Sequence, residues 1–330
     1  MGKLRDYLPA LKFGHKIMPT DILGGGYGTS GNIYWVMQSA NTLYDAFYTE
    51  YNMVYPDGTE SVKTTIQGGL DACTANRDDY VLVTPDSADY DSTAALTMSK
   101  ARTHLIAPAG LGHQGFPSNA VRMHQNTAST DCITVSADTV EIAGFFFKGY
   151  LGADIIGLGA SARWHPHIHD NFFGMSATDG SDNYGIKATG ACCHFSIHDN
   201  YFCNYSPGAM SGTDNDLGSF IYMSDGGCTR GLIRDNIMYT GHNTEVTAMI
   251  QYSGCGCFII DNFLAETAAH GASEAGVITL GISVAADNIL MRNLVAMTTA
   301  NIANAISGMD SDNAVMNYGS DAAGGDTILS

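Results

Sequence analysis

A short pattern recurs down the second half of the chain: an aliphatic residue, two mostly polar residues, an asparagine, then two apolar residues. It reads Ile168-His169-Asp170-Asn171-Phe172-Phe173, then Ile197-His198-Asp199-Asn200-Tyr201-Phe202, then Ile233-Arg234-Asp235-Asn236-Ile237-Met238. Degraded copies follow around Asn262, Asn293 and Asn317, and an upstream copy has Gly144 in place of the asparagine before Phe145-Phe146. The six asparagines lie 29, 36, 26, 31 and 24 residues apart. Periods of this size mark a solenoid, in which each coil packs only on its neighbours.

Each repeat carries a second apolar stretch upstream of its asparagine, as in Gly185-Ile186-Lys187, Phe220-Ile221-Tyr222 and Met249-Ile250-Gln251. Small residues such as Gly190-Ala191-Cys192 separate the two, and polar loops follow the second. Short β-forming stretches with turn residues between them, and no helical period, predict an all-β right-handed parallel β-helix. We expect nine or ten coils, roughly 45 Å of stack at about 4.8 Å per coil. Asn171, Asn200, Asn236, Asn262, Asn293 and Asn317 are expected to hold the bends in a left-handed conformation and to bond up the stack as a ladder. The aliphatic residue three before each asparagine should point inwards, and His169, His198 and Arg234, two before, outwards. The chain divides into an arm with a glycine hinge (1–30), an opening strand and tyrosine-rich cap (31–64), the β-helix (65–320) and a tail (321–330).

Charge is distributed unevenly. Fifteen basic residues face 33 acidic ones, a balance of −18, which argues against nucleic-acid binding. Yet Lys3, Arg5, Lys12 and Lys16 oppose only Asp6 in the first twenty residues, so that stretch carries +3 and the remainder −21. A basic arm on an acidic body reads as an anchor for another surface. No apolar run has the length of a signal peptide or a membrane span, so no membrane partner is expected. Five of the eight cysteines, Cys192, Cys193, Cys228, Cys255 and Cys257, recur at similar places in the repeats, and buried free thiols are the reading.

Three clusters invite chemistry. His165, His167 and His169 alternate, which would place all three on one strand face and resembles a metal set. However, His165 aligns with His194 and Arg230, and His169 with His198 and Arg234. We therefore read two outward basic columns, with no metal, and a subunit contact sensitive to pH near 6.5 as their further use. Asp170, Asp199, Asp235 and Asp261 form a column that reads as Asx-turn chemistry rather than a catalytic pair. Loop pairs Asp179/Asp182, Asp214/Asp216 and Asp310/Asp312 read as loop tips, and Lys187 with Asp225 is a thin basis for a lyase. The acidic loops leave room for calcium without the spacing of an EF-hand, and no cofactor is expected. Tyr44, Phe47, Tyr48 and Tyr51 would form an aromatic helix face, which either caps the end of the stack or meets another subunit.

The upstream order also carries a resemblance. Thr65-Ile66 leads to Leu70-Asp71-Ala72-Cys73, then to the strand Tyr80-Val81-Leu82-Val83-Thr84-Pro85, then to Leu105-Ile106-Ala107. A helical cap, a strand ending in proline and a turn of this kind resemble right-handed parallel β-helix proteins of the pectate-lyase-like superfamily. With the opening strand Gly31-Asn32-Ile33-Tyr34-Trp35-Val36 before them, they look like bacteriophage virion proteins. That resemblance implies a structural virion protein made in the host cytoplasm, most nearly a capsid decoration (cement) protein. It also implies a homotrimer, with a capsid or other virion protein as partner. The absence of sequence after the final repeat is in keeping with this. A tailspike-like polysaccharide depolymerase or lyase is the alternative, and an adhesin or carbohydrate-binding module the third.

Overall fold

The structure is a computed structural model that describes residues 31–108, 120–127, 130–148, 154–159, 161, 163–175, 184–204, 217–223, 227–240, 246–266, 278–280, 288–297, 306–307, 314–321 and 326–329. The basic arm, the glycine hinge, Asp225 and the three acidic loop pairs lie outside the described residues. Among the described residues, three long sheets form a parallel β-helix. The first has eleven strands, the second ten and the third eight. One coil visits the third sheet (Ile186–Ala188), the first (Ser196–His198) and the second (Tyr201–Asn204) in turn. Strand pairing is parallel throughout the three sheets until Asp326–Leu329, in the stretch expected to be a tail, folds back antiparallel on Asn317–Asp321.

Register explains why the core is regular. Ile142, Ile168, Ile197, Ile233, Ile259 and Leu290 stack as one inward column of the first sheet. Ile133, Ile156, Ile186, Ile221, Ile250 and Ile278 do the same in the third. All twelve are buried. β-branched side chains suit these pleated, closely spaced positions. In the second sheet Phe147, Phe173 and Phe202 stack at 5.0 and 4.4 Å between ring centres.

The asparagine column lies at the corner between the first and second sheets. Asn200 shows the pattern. Its Nδ2 donates to Ile168 O of the preceding coil at 3.0 Å and to Asn236 Oδ1 of the next at 3.1 Å, and its own N–H donates to Asn236 Oδ1 at 3.1 Å. Its Oδ1 accepts the N–H and Nδ2 of Asn171. The same contacts repeat up to Asn317, and all six asparagines are buried.

The bend itself belongs to the residue before each asparagine, which differs from the expectation. Asp170, Asp199, Asp235, Asp261, Arg292 and Met316 have φ between 53° and 58°. Gly144, with φ 83°, is aligned with Asp170 and not with an asparagine, because Ala143 pairs with His169 and Phe146 with Phe172. Phe145 therefore ends the asparagine column, its N–H donating to Asn171 Oδ1 at 3.0 Å. A Cβ on Gly144 would lie 2.3 Å from Ala107 O, so glycine is required there on two counts. A second left-handed column, Asp78, Arg102, Thr139, His165, His194 and Arg230, precedes the first sheet. His165 thus sits in a bend stacked on His194 and does not share the strand face of His167 and His169.

The opening region has two covers, one over a sheet face and one over the end of the stack. Helix α1 (Tyr44–Tyr51) lies over the outer face of the first sheet, where Phe47 and Tyr51 meet Trp35, and Val62, Tyr80 and Leu82 complete a small separate core. Its rings do not cap the end of the stack. Helix α2 (Ile66–Ala72) packs there instead, with Ile66 and Leu70 in the main core and Thr65 capping it through Gly68 N. Asp79, fully buried, accepts from Arg77, Asn32 N and Thr74 N and ties this end together.

Replacing Asn200 by alanine takes the acceptor from the buried Asn171 N–H and a donor from both Ile168 O and Asn236 Oδ1 at once, so Asn200→Ala should lose about 1–3 kcal/mol in urea unfolding. A loss below about 0.5 kcal/mol would be the size of a surface substitution and would contradict the buried ladder.

Candidate functional site

The outward face of the first sheet carries a network of polar side chains. The register places Tyr80, His104, Glu141, His167 and Ser196 in one outward column and Ala143, His169, His198 and Arg234 in the next. Glu141 is at its centre. His104 Nδ1 lies 2.5 Å from one carboxylate oxygen and His169 Nε2 2.8 Å from the other. Tyr80 stacks on the His104 ring at 4.3 Å.

The aspartate column meets side chains. Asp170 accepts from His169 Nδ1 and Asp199 from His198 Nδ1, both at 2.7 Å. Asp235 pairs with Arg234, and Asp261 with Arg292. Because His198 Nδ1–H donates to Asp199, its Nε2 accepts from His167 Nε2–H at 2.6 Å.

Proton affinities within the network are spread apart. Burial opposes the charge on Glu141, but the hydrogen bonds from His104 and His169 outweigh it and hold the carboxyl well below the usual range. Burial likewise favours a neutral His169, yet Asp170 and Glu141, one on each ring nitrogen, raise it to about 9. Burial, followed by the neighbouring His169 and His198, pushes His167 down to about 4, and burial also lowers His198. His167 and His169 are therefore moved away, in opposite directions, from the value near 6.5 that the sequence reading expected, and His198 is shifted below it. The ligand atoms of Glu141, His167 and His169 all lie within 4.8 Å of one another, so these three could hold a metal ion.

A smaller cluster lies on the third sheet. Lys187 Nζ lies 3.5 Å from Asp154 Oδ2 and 4.2 Å from the centre of the Tyr184 ring, which in turn meets Tyr222. Asp131 accepts from Thr134 Oγ1 at 3.1 Å, and a Cβ on Gly157 would intrude on its carboxylate at 2.3 Å. Burial raises Asp154 to about 6, with Asp131 adding to the shift and Lys187 opposing it. Burial raises Asp131 as well.

The remaining predicted residues fall outside these clusters. Phe47 is buried within the chain, while Tyr44, Tyr48 and Tyr51 are half-buried beside it. The eight thiols are free, and six are buried. Glu141, His104 and Asp154 were not singled out by the sequence reading. Glu141 was hidden because aligning Gly144 with the asparagines shifts its coil by one residue, which moves Glu141 off the outward column of His167.

No protein family matches the chain, and no curated protein does. A solved structure, ORF18 of Geobacillus virus E2, matches 78% of the chain at 13% identity with a TM-score of 0.27. The chain spans 58% of that protein's length.

The folded Asp154 carboxyl keeps its proton to about pH 6, whereas the unfolded one releases it near the ordinary carboxylate value. Between those values the folded state binds more protons, so this group's contribution to stability falls as pH rises. Urea unfolding from pH 4 to pH 7 should show wild type losing on the order of 1–3 kcal/mol more than Asp154→Asn. Parallel pH profiles for the two proteins would show that Asp154 titrates normally.

Proposed function

We propose that the chain is a structural, assembling component of a bacteriophage virion, of the capsid-decoration kind, built as a homotrimer of β-helices. The observation that carries the assembly role is an apolar stripe on the outside of the second sheet. Phe172, Tyr201, Ile237, Phe263, Leu294 and Tyr318 stack on successive coils with register kept throughout. Leu294 is 43% and Tyr318 51% exposed. The second outward column beside it is small or aromatic: Gly174, Cys203, Tyr239, Ala265 and Ala296. Among the described residues, neither column carries a charge from Phe172 to Tyr318. A continuous apolar face of this kind marks a protein contact.

A second copy of the chain is the partner that fits. Each chain carries −18, so copies repel over most of their surface. The two uncharged columns of the second sheet, from Phe172 to Tyr318, are a face on which they can approach without burying like charges. The virion setting rests on the resemblance of the opening strand, helix and proline-ended strand to phage β-helix proteins. Sedimentation equilibrium of the full chain should give three chain masses. Phe263→Lys with Leu294→Lys, at outward positions that leave the core intact, should give the monomer. A monomeric wild type, or a variant that still assembles, would refute the interface.

One observation favours a second reading, the cleavage of a polysaccharide. Asp131 and Asp154 hold protons more tightly than usual, on neighbouring coils, beside Lys187 and the rings of Tyr184 and Tyr222. Raised acids beside aromatic platforms are the equipment of glycan chemistry. Incubation with capsular or pectic polysaccharides that yields new reducing ends or unsaturated products, abolished in Asp154→Asn, would establish this reading over the structural one.

A further inference from the structure

The network around Glu141 contains one device twice. In His169-Asp170 and again in His198-Asp199, the aspartate occupies the left-handed bend, with φ 55° in both. Each turns its carboxylate back onto Nδ1 of the preceding ring at 2.7 Å. Both rings are thereby fixed with Nδ1 as donor, and both present Nε2 to the same neighbourhood. His169 Nε2 faces Glu141 Oε1 at 2.8 Å, and His198 Nε2 faces His167 Nε2 at 2.6 Å. A carboxylate that orients an imidazole through Nδ1–H while Nε2 faces a shared centre is how metal-binding histidines are held.

We propose that Glu141, His167, His169 and His198 form a binding site for a divalent transition cation of the zinc class. Three imidazole nitrogens and one carboxylate oxygen are the donor set of such ions, whereas calcium and magnesium take oxygen. Zinc ligands sit at about 2.0–2.2 Å from the ion, which brings donor atoms to about 3.3 Å from one another in a tetrahedron. The Glu141, His167 and His169 donors are already within 4.8 Å of one another, and His198 Nε2 lies 2.6 Å from His167 Nε2, so the four donors start close to the spacing that an ion requires. Binding displaces the proton between His169 Nε2 and Glu141, which leaves to solvent, and the proton between His167 Nε2 and His198 Nε2, which moves to His167 Nδ1, so that all three Nε2 atoms are free to ligate. His104 stays on the second oxygen of Glu141.

The site is half-sheltered, with the side chains of Glu141, His169 and His198 between 12% and 20% exposed, so an ion can enter from solvent. Its donors come from three successive strands of the first sheet, Glu141–Ala143, His167–His169 and Ser196–His198. Four protein ligands make a closed, structural site. The ion would clamp three coils together from outside, beside the asparagine-held corner.

The test uses the full chain, stripped with EDTA and dialysed. Titration calorimetry with zinc should show one saturable ion per chain, and cobalt(II) should give the intense visible absorption of a tetrahedral centre. Zinc should raise the melting temperature. Asp170→Asn, which keeps a residue that tolerates the left-handed bend, should weaken zinc binding about 10–100-fold. His169→Ala should abolish the cobalt spectrum, and His124→Ala, on another sheet, should leave it unchanged. Absence of saturable binding, an octahedral cobalt spectrum, or zinc affinity unaltered in Asp170→Asn would each overturn the proposal. If His169→Ala fails to fold, the Asp170→Asn affinity decides alone.

Discussion

The stack depends on one hydrogen-bonding arrangement, the amide column at the corner between the first and second sheets. A chain that bends sharply once per coil, at a non-glycine residue in left-handed conformation, pays about 1–2 kcal/mol at each bend. Asp170, Asp199, Asp235, Asp261, Arg292 and Met316 all adopt that conformation. The asparagine that follows offsets the strain. Its amide satisfies a carbonyl of the coil below and the carbonyl oxygen of the amide above, while its own oxygen takes two donors from below. At about 1 kcal/mol net per bond, and more if one is orphaned, three or four bonds per coil exceed the cost of the bend. No aspartate could replace these amides, because a carboxylate accepts but cannot donate up the column.

With the corner fixed, everything inward follows from register. The isoleucine columns of the first and third sheets are held in line because a slip of one residue would turn every side chain to the opposite face. The two left-handed columns, one entering the first sheet and one leaving it, restrict that sheet to three or so residues per coil. Such short strands leave two outward positions on each coil of the first sheet. These positions are close enough between coils that like and unlike residues interact directly, as Glu141 does with both His104 and His169.

Much of this is readable from the sequence, for a physical reason. The asparagines and isoleucines recur because the geometry that demands them recurs, so periodicity exposes them. What the pattern hid was local. Gly144 replaces the left-handed aspartate, yet its position before two phenylalanines imitates the asparagine, and the one-residue error removes Glu141 from its column. The cover formed by helix α1 was misplaced for a similar reason. Trp35 and Leu82 face outwards, alternating with Tyr34, Val36, Val81 and Val83 that face in, and nothing in the aromatic spacing of Tyr44 to Tyr51 says which side of the sheet they meet. The aspartates before the asparagines were read as turn residues, which they are by backbone. Their carboxylates act sideways on His169, His198 and Arg234, and that is tertiary information.

The outward columns vary where the inward ones do not, and that difference separates architecture from use. One column of the first sheet runs Tyr80, His104, Glu141, His167, Ser196, Leu232, Phe258 and Ile289. It passes from titratable to apolar while the buried column beside it stays aliphatic, from Val81 through Leu105 and the isoleucines to Leu290. The fold demands neither half: a serine or threonine would suit any of these surface positions, and Phe258 is 47% exposed to water. A solenoid repeats its constraints on every coil, so a change of chemistry along one column at constant geometry reflects what meets the column from outside. The histidine and glutamate half gathers converging polar atoms, the equipment of the proposed cation site. The apolar half lies across the corner, marked by the pair of Asp261 and Arg292, from the stripe of Phe263, Leu294 and Tyr318, the face proposed for a second copy.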